Sequence, residues 1–233
     1  MKTRNFIILV LVLFHSSCNL TNSQIVKEDR TVGAFSGIDL RISAEVFIKQ
    51  ESPSKITVHA PEDVIKDLKT IVNEGSLVIK FDTWKIKYKD IKIYISTPEI
   101  NELEVSGSGY ITAESAINSN DIEFEISGSG KINIGDLTAK TIEADISGSG
   151  KISLAGKNTV DKIDFDVSGS GDLLAIDLPV KIAIIDISGS GTGEVNVIEK
   201  LDVDISGSGK VNYKGKPIIN ADISGSGSVN NRN

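Results

Sequence analysis

The chain has 233 residues, 24% of them charged, and a formal net charge of −7. It is acidic and carries no basic cluster, which argues against nucleic acid or an anionic membrane surface as a partner. It holds only two histidines and one cysteine, so a metal site built on clustered imidazoles and an intramolecular disulfide are both excluded.

Residues 1–17 read as a signal peptide. Lys2 and Arg4 give a positive start, and Phe6 to Phe14 is an unbroken apolar run of nine residues, too short to span a bilayer. Ser16-Ser17-Cys18 follows. This resembles a bacterial lipoprotein signal, in which cleavage before the cysteine leaves Cys18 as the lipidated N-terminus. His15 departs from that pattern, because an aliphatic residue is usual there. The plainer alternative is an ordinary signal peptide with a chance cysteine. Cleavage would leave 216 residues and move the net charge from −7 to −9, because Lys2 and Arg4 are lost. Residues 18–27 are expected to form a lipidated tether, with the lipid on Cys18 supplying the membrane attachment.

Residues 28–100 are expected to be an irregular β part. Phe35, Ile38, Leu40 and Ile42 begin an alternation that Val46, Ile48, Ile56 and Val58 continue. From Pro61 to Val72 the apolar residues Val64, Ile65, Leu68, Ile71 and Val72 fall at helical spacing, and Pro61, Glu62 and Asp63 suit a helix start. A short amphipathic helix is therefore expected over 61–72. Strands are expected at Leu77 to Phe81, around Trp84 to Tyr88, and at Ile91 to Ile95. Trp84, Ile86 and Tyr88 alternate with Lys85, Lys87 and Lys89. Trp84 and Tyr88 could stack a sugar ring. The plainer reading is that they cap the core and leave the lysines wet.

Residues 101–230 are organised by one motif. Ser-Gly-Ser-Gly begins at Ser106, Ser127, Ser147, Ser168, Ser188, Ser206 and Ser224, at spacings of 21, 20, 21, 20, 18 and 18 residues. A fixed period of that length marks stacked repeats. Before each copy, apolar and acidic residues alternate, as in Ile122, Phe124 and Ile126 between Glu123 and Glu125. That is a strand with one buried face. Each unit therefore offers strand, SGSG turn, strand and a looser turn, and no unit buries enough apolar surface alone. The predicted fold is an all-β solenoid of about 20-residue coils with SGSG turns. Seven coils at about 4.8 Å each give a rod of about 30–35 Å.

An acid lies two residues before every SGSG: Glu104, Glu125, Asp145, Asp166, Asp186, Asp204 and Asp222. A second acid lies four residues before five of them: Glu102, Glu123, Glu143, Asp164 and Asp202. Stacked in register, these carboxylates form two columns with neighbours about 5 Å apart. Such columns repel themselves or attract cations. The seven nearer acids are candidates for calcium or for a basic partner, although no calcium-loop spacing is present. The plainer reading is a solvated face, partly neutralised by Lys131, Lys151 and Lys210. No catalytic residue is singled out. Outside the signal, His59 stands alone, and the turn serines have no histidine beside them in the sequence. No cofactor is implied.

Gly33-Ala34-Phe35-Ser36-Gly37-Ile38-Asp39-Leu40, Ala44-Glu45-Val46-Phe47-Ile48 and Gly75-Ser76-Leu77-Val78-Ile79-Lys80, followed by SGSG units, resemble the auto-transporter adhesin head GIN domain family of Bacteroidetes-type envelope proteins. The resemblance covers about residues 32 to 227. It implies a right-handed parallel β-helix-like superhelix, with GSG at the tight turn, and a role in adhesion. It supplies no catalytic residues. The leading expectation is a non-enzymatic, lipid-anchored envelope protein of the outer membrane that binds a cell-surface glycan or protein. The alternatives are a periplasm-facing scaffold or signalling accessory, and a β-helix carbohydrate-active enzyme. The last would need one carboxylate pair set apart by its environment.

Overall fold

The structure, a computed structural model, describes residues 24–82 and 90–233. In chain order the strands are β1 (Ile25–Arg30), β2 (Gly37–Leu40), β3 (Glu45–Gln50) and β4 (Lys55–Pro61), then one helical turn, α1 (Glu62–Ile65). There follow β5 (Leu68–Asn73), β6 (Ser76–Phe81), β7 (Lys92–Thr97), β8 (Glu102–Gly107), β9 (Tyr110–Ala113), β10 (Ile117–Asn118) and β11 (Asp121–Gly128). Next come β12 (Lys131–Ile134), β13 (Leu137–Thr138), β14 (Thr141–Gly148), β15 (Lys151–Ala155) and β16 (Val160–Gly169). The chain closes with β17 (Asp172–Gly189), β18 (Thr192–Gly207), β19 (Lys210–Lys214), β20 (Ile218–Gly225) and β21 (Ser228–Asn231).

These strands stack as a parallel β-solenoid. The seven strands that enter an SGSG turn, preceded in the stack by β6 and β2, form one face, in the order β6, β2, β8, β11, β14, β16, β17, β18 and β20. The strands that leave these turns, preceded in the stack by β7 and β3, form the second face, in the order β7, β3, β9, β12, β15, β17, β18, β19 and β21. The long strands β17 and β18 run round the loose corner and belong to both faces. The short parallel pair β10–β13 lies on the loose side. The seven SGSG copies are matched residue for residue and bound six steps of the stack, about 20 residues each.

The coils do not all follow chain order. The coil β2–β3 pairs β6–β7 on one side and β8–β9 on the other. After β3 the chain descends through β4, α1 and β5, builds the coil β6–β7 beneath the one it has already made, then climbs past it to β8. Two antiparallel additions finish that end, β5 on β6 and the pair β1–β4 on β7. This detour is why residues 28–100 show no fixed period. β1 begins at Ile25, inside the stretch expected to be a tether.

The helix expected over 61–72 is only one turn. α1 buries Val64 and Ile65 over the end of the core, and Leu68 to Asn73 is the strand β5. Leu68 and Val72 alternate with exposed Lys69 and Ile71, and β5 pairs β6 from Leu68 opposite Phe81 to Asn73 opposite Ser76. The β-branched run Thr70-Ile71-Val72 favours that pairing over a longer helix.

The turn sets the register. The first glycine of each SGSG has φ between +121° and +133°, a region that side chains with Cβ rarely enter. Backbone N–H of the next serine donates to the carbonyl of that glycine one coil below, as in Ser149 to Gly128 at 2.8 Å. A Cβ on Gly148 would lie 2.5 Å from that Gly128 oxygen, and one on Gly150 would lie 2.4 Å from Ile126 Cγ2. Both glycines are therefore required by close approach.

Inward side chains form continuous stacks. One runs Ile38, Leu103, Phe124, Ala144, Phe165, Ile185 and Val203. Ala144 sits between two phenylalanines, and all three are completely buried. Large and small residues thus alternate to keep the coil spacing uniform.

Replacing Gly148 by alanine should cost about 1–3 kcal/mol, the price of a strained backbone. Phe124→Ala should cost about 3–5 kcal/mol through the cavity it leaves. Lys157→Ala, on an exposed loop, should stay within about 0.5 kcal/mol. Denaturant unfolding of the three variants measures this ordering.

Candidate functional site

The strand alternation that buries Ile, Phe and Val on the first face turns the residues between them outward. Register then fixes which outward residues meet. Glu104, Glu125, Asp145, Asp166, Asp186, Asp204 and Asp222 are successive partners across β8, β11, β14, β16, β17, β18 and β20. Asp39 on β2 pairs Glu104 and extends this column by one coil below the first SGSG. The second column holds Glu102, Glu123, Glu143 and Asp164, then Ile184, Asp202 and Asn220. Outside them lies a third column of the first serine of each turn. Asp145, Ser147, Asp166, Ser168, Asp186 and Ser188 line an open groove of about 400 Å³ along these columns.

The arrangement is electrostatically costly. Glu102, Glu125, Asp145, Asp166 and Asp186 all have pKa values raised from their ordinary carboxylate values. Partial burial on the sheet is the largest cause in each, and neighbouring carboxylates add to it. The chain relieves the repulsion at few places. Arg41 pairs the buried Asp39 at the foot of the column. Lys162 bonds Asp164 at 2.8 Å and Lys200 bonds Asp202. Ser106 Oγ donates to Glu104 at 2.7 Å.

The lysines expected to neutralise the columns do not reach them. Lys131, Lys151 and Lys210 lie past the turn, on the second face. Lys151 pairs Asp172 at 3.1 Å, and Lys131 lies 5.4 Å over the ring of Tyr110. The sequence signal that does mark the neutralised acids is lysine two residues earlier on the same strand, as in Lys162-Ile163-Asp164 and Lys200-Leu201-Asp202. Among the described residues no three His, Cys, Asp or Glu side chains are grouped as a metal ion requires. The carboxylates instead run as ladders.

Trp84, Tyr88 and Cys18 lie outside the described residues. The second face carries aromatic residues not singled out from the sequence. Phe47 and Tyr94 are cross-strand partners with rings stacked at 5.2 Å, and His59 packs on Tyr94 at 5.0 Å. Lys92 lies 6.0 Å over Phe47. The signal was available, because Phe47 and Tyr94 stand between inward Val46 and Ile48 and inward Ile93 and Ile95. Ring faces covered by neighbouring rings and lysine stems mark a packed ladder. His59 is part of it. No helix among the described residues is long and apolar enough to cross a membrane.

The five raised carboxyls bind protons more tightly folded than unfolded. Their contribution favours folding below the ordinary carboxyl values and is lost as pH rises through the raised ones. Asp29 and Asp161 are held low by the Thr57 hydroxyl and by Lys181 respectively. They weaken the fold only as pH falls from the ordinary values downward. Tm should therefore rise as pH drops from neutral to about 5, then fall below about 4. Asp166→Asn should flatten that rise and add about 0.2–1 kcal/mol at pH 7, the size of a like-charge pair across strands.

Residues 34–217 match the family model described as "Putative auto-transporter adhesin, head GIN domain". A structure described as a "putative adhesin" from Bacteroides fragilis is similar, with TM-score 0.84 and 23% identity, over 90% of this chain and 97% of that one. A "putative adhesin" from Parabacteroides distasonis has TM-score 0.74 and 20% identity, over 91% and 98%. A "putative lipid binding protein" from the same organism has TM-score 0.76 and 27% identity, again over 91% and 98%. No curated protein matches the chain. The family model covers most of the chain, and the chain therefore belongs to the auto-transporter adhesin head GIN domain family.

Proposed function

We propose that this protein is a non-enzymatic, adhesin-like component of the cell envelope, lipid-anchored through Cys18, that binds a partner along the first face. The observation that carries this reading is the unbroken ladder of outward acids and serines on that face. It presents the same groups to a partner at every coil, and extended repetitive surfaces are what solenoids use for binding. The partner such a face suits is a protein or glycan surface bearing cationic groups spaced along the rod. The family and the similar adhesins support the same reading. The described carboxylates repeat coil after coil, whereas glycoside hydrolysis needs one pair with opposed environments.

On intact cells the native protein should be reached by antibody and cut by added protease, to the same extent as after lysis. Protection until lysis would move the reading to a periplasm-facing scaffold. The variant Asp145→Asn, Asp166→Asn, Asp186→Asn should lose salt-sensitive attachment to glycan and matrix surfaces while its Tm holds or rises. Attachment that survives in this variant would place the binding elsewhere on the molecule.

A further inference from the structure

The two ends of the solenoid are finished differently. At one end Val64, Ile65 and Leu68 close over the core and are almost completely buried. At the other, β20 pairs β18 along its whole length, and no described strand pairs its outer edge. The core columns continue onto β20 as Ile219, Ala221 and Ile223, opposite Leu201, Val203 and Ile205. Those three partners are buried, whereas Ile219 is 41% and Ile223 39% exposed. An apolar layer and a free strand edge therefore face outward together, the combination that invites strand addition.

Two features of β20 indicate what covers it. Its inward residues, Ile219, Ala221 and Ile223, are symmetric about Ala221. A second copy running antiparallel about that point sets Ile219 against Ile223 of the second copy and Ala221 against its own equivalent. Inward residues stay inward, so the two cores become continuous. The outward residues are Asn220 and Asp222. The same pairing sets each Asn220 against Asp222 of the second copy, an amide donor opposite a carboxylate. Asn220 ends a column that holds Glu102, Glu123, Glu143, Asp164 and Asp202. A further parallel coil of the same pattern would instead set an acid on Asp222.

We propose that β20 is a two-fold interface through which two copies of this chain join end to end, by antiparallel β20–β20 pairing centred on Ala221. The contact is isologous and uses up the outer edge of β20 in both copies, so this contact closes as a dimer and does not repeat into a filament. The dimer carries both acid ladders in one rod of twice the length.

The test uses the chain from Cys18 onward with Cys18→Ser. The described fold starts at Gln24, so no described contact is removed, and the only cysteine is gone. Sedimentation equilibrium should show a monomer–dimer equilibrium in the micromolar range. Asn220→Asp should weaken it at least about tenfold and Asn220→Lys should tighten it, since each changes a charge facing Asp222 of the second copy. Directly opposed antiparallel residues have Cα atoms about 4.5–5.5 Å apart, within disulfide reach. Ala221→Cys should therefore form a covalent dimer under mild oxidation, and Lys157→Cys should not. A chain that stays monomeric to about 100 µM overturns the proposal. So does a dimer indifferent to both Asn220 variants, or equal cross-linking at 221 and 157. The Asn220 variants leave the core untouched and decide the matter even if Ala221→Cys perturbs the last coil.

Discussion

The repeat from β8 onward depends on one contact, the backbone hydrogen bond from each SGSG turn to the turn beneath it. The glycine carbonyl that accepts it sits about where a Cβ would intrude, and the neighbouring glycine leaves room for the aliphatic side chain below. The turn therefore fits one register. A slip of one residue would press a serine Cβ into the ladder and turn every Ile and Phe of that strand to water. The strands on both faces inherit their alignment from this edge, and the columns of like residues follow from that alignment.

In-register stacking favours apolar columns and penalises charged ones. Isoleucine on isoleucine buries surface at every step, and where the columns widen to Phe124 and Phe165 the chain places Ala144 between them. Partial burial on the sheet first, and neighbouring carboxylates second, raise the proton affinity of Glu125, Asp145, Asp166 and Asp186, which weakens the fold at neutral pH. Solubility alone would be served better by mixed charges. The second face shows this pattern, with Lys151 against Asp172 and Lys92 against Glu45. A face that keeps an unmixed column against its own stability breaks the local rule, and such breaks concentrate at sites that serve function.

Much of this was legible in the sequence because the repeat is local. The alternation before each SGSG gave the strands, the inward sets and the acid columns residue by residue. What failed was non-local. Asp39 belongs to the column, but only the out-of-order coil brings it beneath Glu104. The helical spacing across residues 61–72 was real for Val64 and Ile65. Beyond them the free edge of β6 offered Leu68 to Asn73 a partner that local periodicity does not reveal. Lys131 and Lys151 lie close to the acids along the chain but on the far side of the turn, whereas Lys162 and Lys200 share a strand face with theirs.

The spacing of the motifs also says where this fold tolerates change. The first four intervals are 20 or 21 residues and the last two are 18. The difference is not taken from the SGSG edge, whose hydrogen bonds repeat unchanged from Ser129 to Ser226. It comes from the loose corner. The longer coils carry there the short strands β10 and β13, the connection around Gly156 and the extra residues of β17, while of the two shorter coils one runs β18 straight round the bend and the other turns at Gly215 between β19 and β20. The transition falls within β17, whose pairing shifts register between Ala175 and Pro179. One edge of the solenoid is thus held by close backbone contact and the other absorbs insertions. The acid and serine columns stand against the rigid edge, where a repeating array keeps its spacing best.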